Sequence, residues 1–173
     1  MRRLAAATLL FAALAGPSMA QQSAFGLDMH DAPVSVPDMR FTGSDGLSRG
    51  LGEYRGRYVL LNVWATWCAP CREELPSLDA LQRDVGGPTF EVVALSTDTG
   101  RRVAVERLFA EVSVDTLDPM IDDTGAVMRD LGVFALPTTL LINPNGQEIG
   151  RLTGPADWNS PEAVAFFATL TDP

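Results

Sequence analysis

Lysine is absent from this chain, histidine occurs once and cysteine only twice. Without lysine there is no lysine nucleophile and no lysine base to consider. Two cysteines are too few for a small disulfide-stapled scaffold. Together with the single histidine, His30, they cannot supply the four ligands that a structural zinc takes. Positive charge is scarce as well. The 13 basic residues face 22 acidic ones, for a net charge of −9. That balance argues against nucleic acid and anionic membrane surfaces as partners. No internal repeat or low-complexity segment is present. The longest apolar run, Leu4 to Ala15, falls short of the roughly 20 residues that cross a bilayer comfortably. It follows Met1-Arg2-Arg3 and precedes Gly16-Pro17 and the small-x-small triplet Ser18-Met19-Ala20. Residues 1–20 therefore read as a secretory signal peptide, cut after Ala20. An uncleaved anchor is the alternative. Either way the domain is expected outside the cytoplasm, in the periplasm of a Gram-negative host.

The rest of the 173 residues, with hydrophobic residues at 46% of the chain, suffices for one domain with a proper core. Residues 21–38 mix Ser, Gly, Pro, Asp and Met without a period and read as an N-terminal tail, with Met29 and His30 in solvent. The domain is then residues 39–173. Met39 to Phe41 and Leu47 to Leu51 read as two short strands around a Gly/Asp turn. Tyr58 to Ala65 is a nearly continuous apolar run, as expected of a central strand covered on both faces. A helix from Cys68 to Val85 follows. Leu75, Leu78 and Leu81 keep helical spacing in it, and Pro76 predicts a kink. Further on come a strand at Phe90 to Ser96, a helix at about Arg101 to Val112, a connector, and a short helix at Ala126 to Leu131 closed by Gly132. A strand from Thr139 to Ile142 turns at Asn143-Pro144-Asn145-Gly146 into a return strand. Ser160 and Pro161 open the last helix. This order is a mixed α/β layout with an antiparallel end.

Both cysteines lie in Trp64-Ala65-Thr66-Trp67-Cys68-Ala69-Pro70-Cys71, between the first long strand and its helix. A C-x-x-C at such a junction reads as a redox motif. The first turn of a helix has unpaired N–H groups and a positive dipole end, and both favour a thiolate. The thiolate is the species that attacks a disulfide. Cys68 is accordingly read as the nucleophile and Cys71, one turn on, as the resolving thiol. A purely structural bridge is the weaker alternative: closing so short a loop stabilises by about 2 kcal/mol, against about 3 for a 15-residue loop.

Trp67-Cys68-Ala69-Pro70-Cys71, Pro76 and the distant Leu136-Pro137-Thr138 before a strand and hairpin together resemble the thioredoxin fold. The helix-bearing insertion ahead of Pro137 and the N-terminal strand pair resemble its TlpA/ResA/CcmG branch of extracytoplasmic thiol–disulfide oxidoreductases. Gly154-Pro155-Ala156-Asp157-Trp158 is most similar to the TlpA group. The resemblance covers about residues 35–170. It implies a central mixed sheet flanked by helices, an N-terminal β extension and a helix-bearing central insertion. It also implies a cis Leu136–Pro137 bond against the active-site disulfide. Trp67, Ala69, Pro70, Leu136 and Thr138 would form the wall that a substrate segment meets. Thioredoxins carry a buried aspartate six positions before the first cysteine, and here that position is Asn62. Members of the branch commonly place a carboxylate elsewhere near the cysteines; Glu73, Glu74 and Asp122 are the candidates here and none is assigned to Cys71, since the two glutamates read equally as a solvated helix face.

The dipeptide between the cysteines, Ala69-Pro70, is uncharged, which implies a reducing couple. The branch implies a dedicated reductase acting as a monomer without metal or cofactor. Its substrates would be the haem-site cysteines of apocytochrome c, or the copper-site thiols of cytochrome oxidase or its copper chaperone. A DsbD- or CcdA-type membrane protein would re-reduce it. A general disulfide oxidant or isomerase is the rival reading. A Sco-type copper chaperone needs C-x-x-x-C and a downstream histidine, and a peroxiredoxin needs Pro-x-x-x-Thr-x-x-Cys. Neither pattern occurs.

Overall fold

A computed structural model describes residues 25–171. Eight strands form a single sheet, in the order β1 (Asp28–Ser35), β8 (Gln147–Thr153), β7 (Thr138–Ile142), β4 (Tyr58–Trp64), β5 (Phe90–Ser96), β6 (Met120–Ile121), β2 (Arg40–Thr42) and β3 (Ser48–Gly50). The centre is β4 (Tyr58–Trp64), which pairs in parallel with β5 (Phe90–Ser96) and antiparallel with β7 (Thr138–Ile142). Between β4 and β5 runs α1 (Ala69–Val85), continuous through Pro76 and closed at Gly86. The insertion before β7 holds α2 (Arg102–Glu111), the two-residue strand β6 (Met120–Ile121) and α3 (Val127–Asp130). The strand β8 (Gln147–Thr153) returns from the hairpin, and α4 (Pro161–Thr171) ends the described chain, with Ser160 Oγ accepting from Ala163 N–H.

The sheet is covered on both faces because β4 alternates two apolar sets. Leu60 and Trp64 join Leu75, Leu78, Val105, Phe109 and Phe167 beneath α1, α2 and α4. Val59, Leu61 and Val63 join Phe41, Val127, Leu131 and Leu140 on the other face. Asn62 falls on the α1 face, where an apolar residue would complete the pattern, and it is fully buried.

The segment expected to be a tail is instead partly sheet. Residues Asp28–Ser35 form β1, an edge strand antiparallel to β8 with an irregularity between Met29 and Val34. Most of its side chains face solvent, so no apolar period marks it, and Pro33 is tolerated because an edge strand has an unpaired side. His30 is not a solvated side chain either: its Nε2 lies 2.9 Å from Glu148 Oε1 on β8. Arg151 also binds Glu148, at 2.7 and 2.8 Å, and donates to Leu131 O at 2.9 Å. Burial works against the ionised Glu148, but the bonds from Arg151 and His30 prevail and hold its carboxyl below the usual range. The cluster thereby ties β1, β8 and the end of α3.

The β2 (Arg40–Thr42) and β3 (Ser48–Gly50) pair reaches the opposite edge through Thr42 and Ile121. The second of these strands is shorter than expected, because residues 51–54 wind into a 3-10 turn that buries Leu51 and Tyr54. On the far flank, Phe167 is fully buried and its ring meets Phe90 at 5.2 Å and Trp158 at 6.2 Å. Replacing Phe167 with Ala is expected to destabilise the protein by about 3–5 kcal/mol, read as a shift of the urea or guanidinium midpoint.

Candidate active site

The loop after β4 brings the chain to the N-terminus of α1, where Cys68 is the N-cap residue. Cys68 N–H bonds to Ala65 O at 3.1 Å, which closes the turn. The two cysteines form a disulfide with Cα atoms 5.3 Å apart. Cys71 N–H points at Cys68 Sγ, at 3.3 Å. After reduction the same amide, with the helix dipole, faces the Cys68 thiolate and stabilises it. Pro70, in the first turn, has no N–H and so adds no orphan donor. Cys68 keeps 6% of its surface, whereas Cys71 keeps none. Of the two, only Cys68 retains any exposed surface.

Thr138 pairs with Val63, so the preceding Leu136–Pro137 bond, which is cis, lies across from the end of β4. Leu136 is half-buried against both apolar clusters. Thr138 is buried and its hydroxyl donates to Ala135 O at 2.8 Å. Ala69 and Pro70 are exposed beside Cys68. The two tryptophans divide. Trp64 is fully buried and stacks on Phe109 at 5.5 Å, while Trp67 is 69% exposed. Phe134, just ahead of Leu136, is 96% exposed, and its sequence context offered no sign of this.

The three candidate carboxylates separate just as clearly. Glu73 is exposed. Asp122 is spent on structure: Oδ1 accepts from Thr124 and Gly125, and Oδ2 from Val127 N–H at 2.9 Å, which holds the start of α3. Glu74 is not part of a solvated face but is 3% exposed, on the same side of α1 as Cys71, one turn away. Asn62 Nδ2 donates to its Oε1 at 2.7 Å. Ala156 N–H and Trp158 Nε1–H both donate to its Oε2 at 3.2 Å. The approach of Ala156 depends on Gly154, whose φ of +114° suits glycine and whose N–H bonds to Pro137 O. Burial pushes the Glu74 carboxyl up to about 7, although the three donors pull the other way. A cleft of about 180 Å³ between Pro70, Glu73, Glu74 and Pro155–Asp157 opens beside it.

Asp98 is another buried carboxylate. It accepts from Thr66 N–H at 2.6 Å, Thr66 Oγ at 2.8 Å and Ser96 Oγ at 2.9 Å. It anchors the residue next to Trp67, and so fixes the loop that delivers Cys68.

With this geometry in place, known proteins can be compared. The AhpC/TSA family profile matches residues 34–147. The chain belongs to that family. Thiol-disulfide oxidoreductase ResA of Geobacillus thermodenitrificans is 35% identical over 120 residues, covering 69% of this chain and 68% of that one. Thioredoxin-like protein YneN of Bacillus subtilis is 32% identical over 111 residues, covering 64% and 65%. The chain thus spans about two thirds of the length of these relatives. A crystal structure described as a DsbE-type thiol:disulfide interchange protein from Chlorobium tepidum superposes with a TM-score of 0.67 at 27% identity, covering 81% of this chain and 94% of that one. The fold is therefore thioredoxin-like, a mixed sheet flanked by helices, and within the family the chain is of the ResA type, a thiol–disulfide oxidoreductase.

The sign of the Glu74 effect can be tested in this AhpC/TSA protein. The folded state holds the Glu74 proton to about pH 7, and the unfolded chain releases it near 4.5. Between those values the folded state binds more protons, so stability falls as pH rises. Glu74→Gln removes that loss, and Asn62 can turn its amide so that Oδ1 accepts both from the new side chain and from the Thr139 hydroxyl, to which Nδ2 donates in the wild type. The oxidised variant is expected to gain about 3 kcal/mol over wild type at pH 8. That gain should shrink as pH falls from about 7 to 4.5 and vanish below it, measured by denaturant unfolding across pH.

Proposed function

We propose that this chain is an extracytoplasmic reductase of substrate-protein disulfides, working through Cys68 and Cys71. The observation that carries the reading is the asymmetry of the sulfur pair. Cys68 caps a helix N-terminus and keeps some surface, and Cys71 is fully buried on the same helix face as a carboxylate whose pKa lies near neutrality. In the reduced protein the Cys68 thiolate attacks one sulfur of a substrate disulfide. A mixed disulfide forms and one substrate thiolate leaves. The Cys71 thiol then gives its proton to Glu74, and the Cys71 thiolate attacks Cys68 Sγ. The Cys68–Cys71 disulfide forms as the second substrate thiolate departs. Two electrons have passed from the dithiol to the substrate, and the Glu74 proton is released to it or to water. A carboxylate titrating near 7 suits a proton acceptor at neutral pH. Pro137, Leu136, Thr138, Trp67, Ala69 and Pro70 form the wall against which the substrate backbone lies.

The leader read at residues 1–20, outside the described residues, supports a periplasmic domain, either released or held by residues 4–15. Among the described residues no helix is long and apolar enough to cross a membrane. The substrates are apocytochrome c haem-site cysteines, or copper-site thiols of cytochrome oxidase or its chaperone, with the TlpA-like segment at Gly154–Trp158 favouring the copper route. A DsbD- or CcdA-type membrane donor restores the dithiol.

The Cys68–Cys71 couple is expected at about −250 mV or below, near the roughly −270 mV of thioredoxin. Equilibration with a glutathione or dithiol couple measures it. A value near −120 mV would make the protein a disulfide donor. Cys71→Ser should accumulate a mixed disulfide with the natural partner, identifiable by mass spectrometry, whereas Cys68→Ser should form none and lose turnover. The opposite pattern would reverse the two roles.

A further inference from the structure

Two arginines stand apart from the rest. Every other arginine among the described residues donates to, or pairs with, an oxygen of the protein. The guanidiniums of Arg72 and Arg101 have no such partner, and both residues are exposed. They lie far apart in sequence but border the same loop. Arg72 directly follows Cys71 in α1. Arg101 opens α2, and its N–H bonds to Asp98 O at 3.0 Å, the same Asp98 whose carboxylate anchors Thr66 beside Trp67.

They also share a flank. On α1, Arg72 falls close to the direction of Asp79, seven residues or about two turns on. Asp79 bonds to the backbone of Thr116 and Leu117, in the connector that follows α2. Arg72 therefore sits on the α2 side of the reactive pair, as Arg101 does. The opposite flank is acidic. Glu73 and Asp157 line the cleft toward the β8–α4 loop. Beside Arg101 the first turn of α2 forms a shallow depression of about 440 Å³ that also includes Arg102, Val103 and Arg107. Trp67, which precedes Cys68, and Phe134, two residues ahead of Leu136, both project into solvent.

We infer that the Arg72/Arg101 flank receives carboxylates that lie close to the reactive cysteine of the substrate segment. The inference rests on the reductase reading and adds the substrate's chemistry to it. The apolar pair Trp67 and Phe134 contacts the segment whatever its sequence. Unbonded guanidiniums add selection by charge, because they lose no internal partner on meeting a carboxylate and can bind it with two N–H groups. The acidic flank disfavours the reversed placement, so charge also sets which way the segment lies.

The test uses the reduced mature protein and three short peptides, each carrying one intramolecular Cys-x-x-Cys disulfide. Glu, Gln or Arg occupies the positions flanking the cysteines. Stopped-flow tryptophan fluorescence follows oxidation of the protein at low and at high ionic strength. The Glu peptide is expected to react roughly 3- to 10-fold faster than the Gln peptide at low salt, and the Arg peptide slowest, as two exposed charge pairs permit. The preference should shrink in 0.5 M salt. It should fall to near unity in Arg72→Gln/Arg101→Gln, while Arg129→Gln, on α3, retains it. Equal rates for the Glu and Gln peptides, or a preference that survives the double substitution, overturn the inference and leave the reductase reading intact. If none of the peptides is reduced, the reductase reading fails and the inference with it.

Discussion

A glutamate in the core must be met by donors from whatever packs around it. An unpaired carboxylate there would be penalised by several kcal/mol or forced to hold its proton. Glu74 meets that requirement with three donors from two separate places: Asn62 on the central strand, and Ala156 N–H and the Trp158 indole in the loop before α4. Ser77, one turn along α1, adds a second tie, since its hydroxyl accepts from Trp158 N–H at 3.2 Å. α1 is thus locked in rotation against β4 and against the C-terminal segment. The rotation that buries Glu74 also buries Cys71, three residues earlier, and leaves Cys68 at the mouth. The difference in access between the two sulfurs, on which directional disulfide exchange depends, is therefore fixed in part by a polar contact inside the core.

The same group joins stability to chemistry. A carboxylate raised by burial disfavours the folded state once pH passes its titration, yet only such a carboxylate is poised to take a thiol proton near neutrality. Asn62 in the position of a thioredoxin aspartate fits this division. An amide on β4 donates to Glu74 on α1 and avoids two carboxylates in contact in one buried space.

How much of this could be read in the sequence depends on the range of the interactions involved. The β4 run, the leucine spacing of α1 and the Cys68–Cys71 junction are local periodic signals, and they led directly to the central strand, its helix and the reactive pair. Leu136-Pro137-Thr138 needed a family resemblance, because nothing local ties a proline to a cysteine more than sixty residues away. Glu73 and Glu74 are the instructive pair. Neighbouring and chemically identical, they differ only in phase, and Glu74 shares the face of Cys71, Leu78 and Leu81. That phase was visible in the sequence, whereas the donors that make burial tolerable come from distant segments. β1 was missed for the opposite reason: it is held by backbone pairing to β8 with few buried side chains, and backbone pairing leaves no mark on side-chain periodicity. Asp98 likewise acts only across the fold, through Thr66.

Net charge is a poor guide to what approaches the disulfide. At −9 overall the chain would be expected to repel an acidic partner. At physiological ionic strength, however, charges separated by more than about 8 Å are largely screened, so the bulk of the carboxylates bears on solubility rather than on contact. The groups that count are those within reach of the bound segment and not already committed to an internal partner. Most described arginines are committed, to Asp45, Glu91, Asp79, Glu111 and Glu148 among others, and cannot turn outward without leaving a carboxylate behind. Arg72 and Arg101 carry no such obligation, and both border the loop that holds Cys68. An acidic protein can in this way present a locally basic flank to its substrate, with the selectivity residing in which charges the fold has left unpaired.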